Sequence, residues 1–272
     1  MLTSLPPVLP PEMFDHIVDH LWDKPVALKA CCTVSKSWVS RARRHLFFRV
    51  EFYSEVCVKL WEKAFPDPSC SPAQFTRVLL LLHGVTAAAS THLFPWVASF
   101  CRLVELQVTN QSDHPRVSLV PFYGLSSFLK SLSLEDSLTP LQEVLNLICS
   151  FPLLENLRLH CHFNADDAVT AEWNAPSHSP KLTGSLHLTG RIRSFACMLL
   201  RLPNGIHFSK VAITCDAQDA GWASDLMLGC SDTLESFCIG YHGLRAFPSV
   251  SAVVQNLTTT HRPKHIQGAT SN

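Results

Sequence analysis

Charge is scarce in this chain. Charged residues make up 16% of 272, and 22 Lys and Arg are balanced by 22 Asp and Glu, for a formal net charge of +0. Neutralising phosphate requires a basic surplus, so this balance argues against a general nucleic-acid or anionic-membrane binder. Glycine is scarce too. The ten glycines are scattered, none with the spacing of a phosphate-cradling or dinucleotide loop, and no cofactor is expected. Apolar runs such as Val78–Leu82 fall far short of the roughly 20 residues a membrane-spanning helix needs. The opening MLTSLPPVLPPE has neither a basic leader nor an apolar core, so it is not read as a secretory signal. The eleven cysteines are odd in number and lack a framework spacing; Cys57, Cys101, Cys149 and Cys197 sit inside apolar runs. Cysteine used as a small hydrophobe fits a reducing compartment, cytoplasmic or nuclear.

Catalytic and metal motifs are equally thin. In His160-Cys161-His162 a strand would turn the two imidazoles to one face and the thiol to the other, so at most two ligands converge. Cys31 and Cys32 are adjacent on a helical pattern and cannot form a CxxC redox pair. Asp166-Asp167 falls in a polar stretch and reads as a turn, and the basic run 41–45 as a solvated helix face. The expectation is a non-enzyme with no catalytic residues and no metal.

What is present is an apolar, globular chain, 47% hydrophobic, long enough for one or two domains. Pro10 and Pro11 stop any earlier helix and favour the first turn of a new one, where Glu12 suits the helix dipole. Phe14, Ile17, Val18 and Leu21 then form one apolar stripe. Asp23-Lys24-Pro25 separates a second helix, apolar nearly all round (Val26, Leu28, Ala30, Cys31, Cys32, Val34). Ser35 can cap a third, carrying Trp38, Val39 and Ala42. Three helices of this size make a slight core alone. The module therefore packs on the rest of the chain, presents an apolar surface to a partner, or does both.

Leu9, Pro10, Glu12, Ile17, Leu21, Leu28, the Val34-Ser35-Lys36-x-Trp38 block and Leu46 together resemble an F-box, in the phrasing of F-box-like proteins abundant in mushroom-forming fungi. Ser35 stands where that family commonly has Cys. The resemblance covers about 40 residues. It implies docking on a Skp-family adaptor, and through it on a cullin, with Leu9, Pro10, Ile17, Leu21, Leu28 and Val34 supplying apolar contact. Trp38 either joins them or fixes the module against the first repeat.

Beyond the module an apolar-x-x-apolar-x-apolar pattern recurs, beginning at Phe47, Phe75, Leu103, Leu129, Leu154, Thr183, Phe208 and Leu234, 25 to 29 residues apart. This near-constant period predicts a leucine-rich-repeat-like solenoid of parallel strands joined by outer-face helices. The clearest helix follows Thr139, with Pro140 in its first turn, Gln142 in a capping box and Leu141, Val144, Leu145 and Ile148 on one side. Similar inward stripes are read at Val56/Leu60/Ala64, Leu93/Val97/Phe100, Ile192/Phe195/Leu199 and Trp222/Leu226. The Asn or Cys of a regular repeat is missing after the strand, where Gln111, Ser137 and His162 stand, so an irregular solenoid is expected.

Alternation along the strands turns Glu105, Gln107, Lys130, Ser133, Glu155, Arg158, Ser185, His187, Lys210 and Glu235 outward. Among them Glu105, Lys130, Glu155, Arg158, His187 and Lys210 are the expected substrate contacts, a mixed-charge face whose specificity would come from charge placement. The expected architecture is therefore α/β: an F-box-like helical module over 5–46, a leucine-rich-repeat-like solenoid over 47–245 and a polar, disordered tail over 246–272. The last strand lacks a covering cap, which suggests that the chain stops short of longer relatives. The expected function is substrate recognition for a cullin-RING ubiquitin ligase with a protein as substrate; the alternative is a repeat scaffold without ligase association.

Overall fold

The computed structural model describes residues 10–82, 97–110, 118–136, 139–161, 163, 179–216, 220–241 and 265–268. The fold is α/β. Three helices come first: α1 (Pro11–His20), α2 (Pro25–Val34) and α3 (Lys36–Leu46). Pro11 and Pro25 open the first two, where a missing N–H costs nothing. Ser35 caps the third, its Oγ accepting from the Ser37 amide at 3.3 Å. Val18, Leu28, Cys31 and Ala42 are buried between the helices, with Leu21, Cys32, Trp38 and Leu46 packed around them. This small core is distinct from the main one. Asp19 fastens α1 to α3: it accepts from the Arg41 guanidinium at two points and lies 2.7 Å from His45 Nε2. The basic run read as a solvated face thus contributes two residues to an internal link. α3 rests on the turn Pro72–Phe75.

Among the described residues nine parallel strands follow in one sheet: β1 (Arg49–Phe52), β2 (Val78–Leu82), β3 (Glu105–Thr109), β4 (Ser131–Asp136), β5 (Asn156–Cys161), β6 (Ser185–Thr189), β7 (Lys210–Cys215), β8 (Ser236–Tyr241) and β9 (His265–Gly268). Their spatial order is their chain order, each strand pairing with its sequence neighbours. The crossovers include α4 (Glu55–Ala64), α5 (Leu141–Cys149), α6 (Arg193–Leu199) and α7 (Ala220–Gly229). All eight apolar segments picked out by spacing carry a strand.

The main core lies between one face of the sheet and the crossovers. Leu106, Leu132, Leu157, Leu186, Val211 and Phe237 stand in register along one buried row, with Val108, Leu134, Leu159, Leu188 and Ile213 along the next. Phe100, Phe122, Phe151, Phe195 and Phe208 fill the space behind them and are fully buried. At the start of the strands a second regularity appears. The carbonyls of Phe48, Arg77, Val104, Lys130 and Ser209 each accept two successive amides from the next strand. At β6 the pattern changes: Glu155 O accepts only from Gly184 N, and the Ser185 amide turns to Asn156 Oδ1 at 3.1 Å. Side chains reinforce these junctions, Ser126 Oγ donating to Leu103 O at 2.9 Å and Thr233 Oγ1 to Phe208 O at 3.3 Å.

Several expectations change. In β2 the residues in register with Val50 and Phe52 are Leu79 and Leu81, not Val78 and Leu80. Five consecutive apolar residues carry no alternation, so pairing set the register. In the sixth repeat the buried residue is Leu182, while Thr183 is exposed. The stripe Val56/Leu60/Ala64 faces solvent; Val58 is buried and Cys57, Trp61 and Phe65 turn inward instead, because the aromatic pair packs onto Phe47 and Phe52. Helix α5 begins at Leu141 with Pro140 as cap and no side-chain cap bond. In place of a capping box, Glu143 in its first turn accepts from the Leu119 amide at 2.6 Å. Within the tail expected to be disordered, His265–Gly268 pairs with β8, whose edge would otherwise leave backbone groups unpaired. Leu9, Gln111, Ser137, His162, Asp166, Asp167 and Leu93 lie outside the described residues.

Candidate interaction surfaces

Two surfaces carry the residues singled out by sequence. On the helical module, Pro10 is exposed, Ile17 is 42% exposed and Val34 is 67% exposed. Leu21 and Trp38 are half-buried against the small core, the Trp38 ring lying 5.4 Å from that of Phe14. Leu28 is 1% exposed and belongs wholly to packing, so the contact expected from it is not available to a partner. An apolar residue in the middle of an all-apolar helix is what the three-helix core closes around.

The structure adds residues that sequence reasoning missed. Met13 stands one turn before Ile17 on α1 and is equally open. On α2, Val26 is 80% exposed and lies two turns before Val34, with exposed Ala30 between them. Trp22, between the helices, is also exposed. The i, i+4 spacing of Met13 and Ile17 was a readable signal. For α2 none existed, because apolar residues on every side leave its outward face undetermined.

The second surface is the open face of the sheet. Its side chains, in register from β3 to β7, are half-buried or exposed: Gln107, Ser133, Arg158, His187 and Ala212 along one row, and Thr109, Glu135, His160, Thr189 and Thr214 along the next. Lys130 and Glu155, both expected contacts, bind each other at 2.8 Å. Glu135 lies 3.3 Å from His160 Nδ1 and accepts from Thr109 Oγ1 at 3.4 Å. Arg158 stands directly opposite His187, and Lys210 lies diagonal to it, opposite Ser185. Burial, then the charge of Arg158 and the nearby His160, push the His187 imidazole below its ordinary value of 6.5. Glu105 opens β3 half-buried, away from this group.

Cys149 and Cys230 are pushed up to about 11 by burial, which keeps them as thiols. His160 and Cys161 take opposite faces, Cys161 buried. Among the described residues no group of three or more His, Cys, Asp or Glu side chains could hold a metal ion, and no helix is long and apolar enough to cross a membrane. Comparison with known proteins finds no matching family model, curated protein or solved structure.

Proposed function

We propose that the chain is a substrate receptor of a cullin-RING ubiquitin ligase, docking a Skp-family adaptor through an F-box-like module and holding a protein substrate on a leucine-rich-repeat-like solenoid. The observation that carries this reading is the pair of solvent-facing apolar stripes, Met13/Ile17 and Val26/Ala30/Val34, on a three-helix unit with its own core. A helix facing water on that side would ordinarily be polar, so the stripes suit a partner helix. The strands paired in chain order and the polar open face support the receptor half. The chain itself does no bond chemistry. Tethering raises the effective concentration of substrate lysines beside the conjugating enzyme.

Co-purification of the intact protein with a recombinant Skp-family adaptor tests this. The wild type is expected to retain the adaptor, and Ile17→Asp combined with Val34→Asp to lose it while melting normally. Failure of folded wild type to retain any adaptor removes the ligase reading. One observation favours the alternative, a scaffold whose helices serve only as an end cap: α3 packs on the turn Pro72–Phe75. That reading predicts that the double variant behaves as wild type in every binding assay.

A further inference from the structure

We infer that Arg158, His187 and Lys210 form a subsite on the open sheet face for an anionic group, carboxylate or phosphate, carried by an extended segment of a protein partner. This deepens the receptor reading and rests on it only in taking the sheet face as the binding face.

Some charges on this face are already satisfied. Of the residues projecting from this part of the sheet, Glu155 is bound by Lys130, and Glu135 by His160 and Thr109. Arg158 and Lys210 have no ion-pair partner among the described residues, although both are exposed. They flank His187, one directly opposite and one on the diagonal. A cation facing a protonated imidazole across paired strands is an unfavourable neighbour unless something negative lies between. After burial, the charge of Arg158 accounts for part of the depressed His187 pKa.

The surroundings suit a small anion. Ser133 and Ala212, on either side of the Arg158–His187 pair along the row, are short and leave the two longer side chains accessible from above. Thr189 follows His187 on the same face of its own strand and Thr214 lies diagonal to it on β7, so two threonine hydroxyls stand beside the site, while the Ser185 hydroxyl is already given to Asn156 Oδ1 at 2.8 Å. Arginine presents a planar fork that matches a carboxylate or phosphate at two oxygens. Protonated His187 would add a donor, and a bound anion would favour that protonation. The charged and titratable groups facing His187 are thus Arg158 and His160 from β5 and Lys210 from β7; Glu135 lies beyond His160 and is engaged with it. Binding should strengthen as pH falls below the ordinary histidine value, until the anion itself is protonated.

The test uses the intact protein and four degenerate nine-residue peptide pools, fixed centrally at phosphoserine, glutamate, glutamine or serine, with binding read by fluorescence polarisation. The phosphoserine or glutamate pool is expected to bind about tenfold more tightly than its neutral counterpart, and the glutamate preference, whose carboxylate stays ionised, to be larger at pH 6 than at pH 8. The stronger of the two names the source of the anion. Arg158→Gln should abolish the preference and Lys210→Gln reduce it, while Lys130→Gln, whose lysine is already paired, should leave it unchanged. These positions are exposed, and a matched thermal melt checks that each variant is folded. Equal binding of charged and neutral pools, a preference that survives Arg158→Gln, or an equal loss in Lys130→Gln would each overturn the inference. Adaptor capture measured on the same samples separates the two proposals. An Arg158-dependent preference without adaptor binding leaves the subsite standing and removes the ligase; adaptor binding without any preference does the reverse.

Discussion

Asp19 shows how one side chain can hold a small module together. The Arg41 guanidinium, and after it His45, hold its carboxyl well below the usual carboxylate range. A carboxylate whose folded pKa is depressed stabilises the fold above its unfolded pKa and loses that contribution only as pH falls through the folded value. The link therefore persists through the neutral range and fails under strong acid. Because the pair is about one-third exposed, solvent screening leaves it worth on the order of 1 kcal/mol. Asp19→Asn should accordingly loosen α1 from α3, seen as faster hydrogen exchange along Pro11–His20 with the sheet unchanged. His187 has the opposite chemistry but the same sign. Its folded pKa lies below the unfolded value of 6.5, so the unfolded chain binds the proton first. Its contribution is complete above pH 6.5 and lost as pH falls through the folded pKa. In urea titrations at pH 7.5 and 5.5, the wild type should lose more stability on acidification than His187→Gln. Equal losses would show that His187 is not a source of that dependence.

At the scale of elements, local pattern and local geometry disagree in instructive places. β2 is read one residue out of register because VLLLL offers no alternation, and α4 is read inside out because Val56 and Leu60 match the helical period as well as Val58 and Trp61 do. In each case the decision belongs to the neighbour: Val50 and Phe52 pair with Leu79 and Leu81, and Phe47 and Phe52 receive Trp61. The start of β6 is a place where only one residue type fits. A Cβ on Gly184 would lie 2.6 Å from the Glu155 carbonyl oxygen, a backbone atom that also accepts the Gly184 amide. Gly184→Ala must push these strands apart and should cost about 1–3 kcal/mol, in the range of overpacked sites. A chemical-denaturation midpoint equal to wild type would show that the junction yields freely.

For the whole molecule, the consequence of pairing strands in chain order is a core with no interior boundary between repeats. Leu132, Leu157 and Leu186 are register neighbours, so a void at one is felt by the next. Leu157→Ala should cost about 2–5 kcal/mol. Its extra hydrogen exchange should spread to β4 and β6 as well as β5, while the three-helix unit, which has a separate core, keeps its protection. Exchange confined to β5 would mean that the repeats unfold independently.

Much of this architecture was written in the order of residues. Spacing of 25 to 29 residues between apolar triplets located eight strands, because a strand packed on one side must repeat its apolar face wherever the chain returns to the sheet. Prolines and Ser35 marked the helix starts, because those positions demand a missing donor or a capping oxygen. Tertiary structure alone decided which side of α2 meets water, which of five apolar residues in β2 points inward, and which outward charges cancel one another. Lys130 and Glu155 looked like ligand contacts until the fold placed them 2.8 Å apart, and Arg158 and Lys210 stand out only because no acidic side chain among the described residues reached them. Those outcomes depend on distances between residues far apart in the chain. A sequence states what each side chain can do, and only packing decides what each finds beside it.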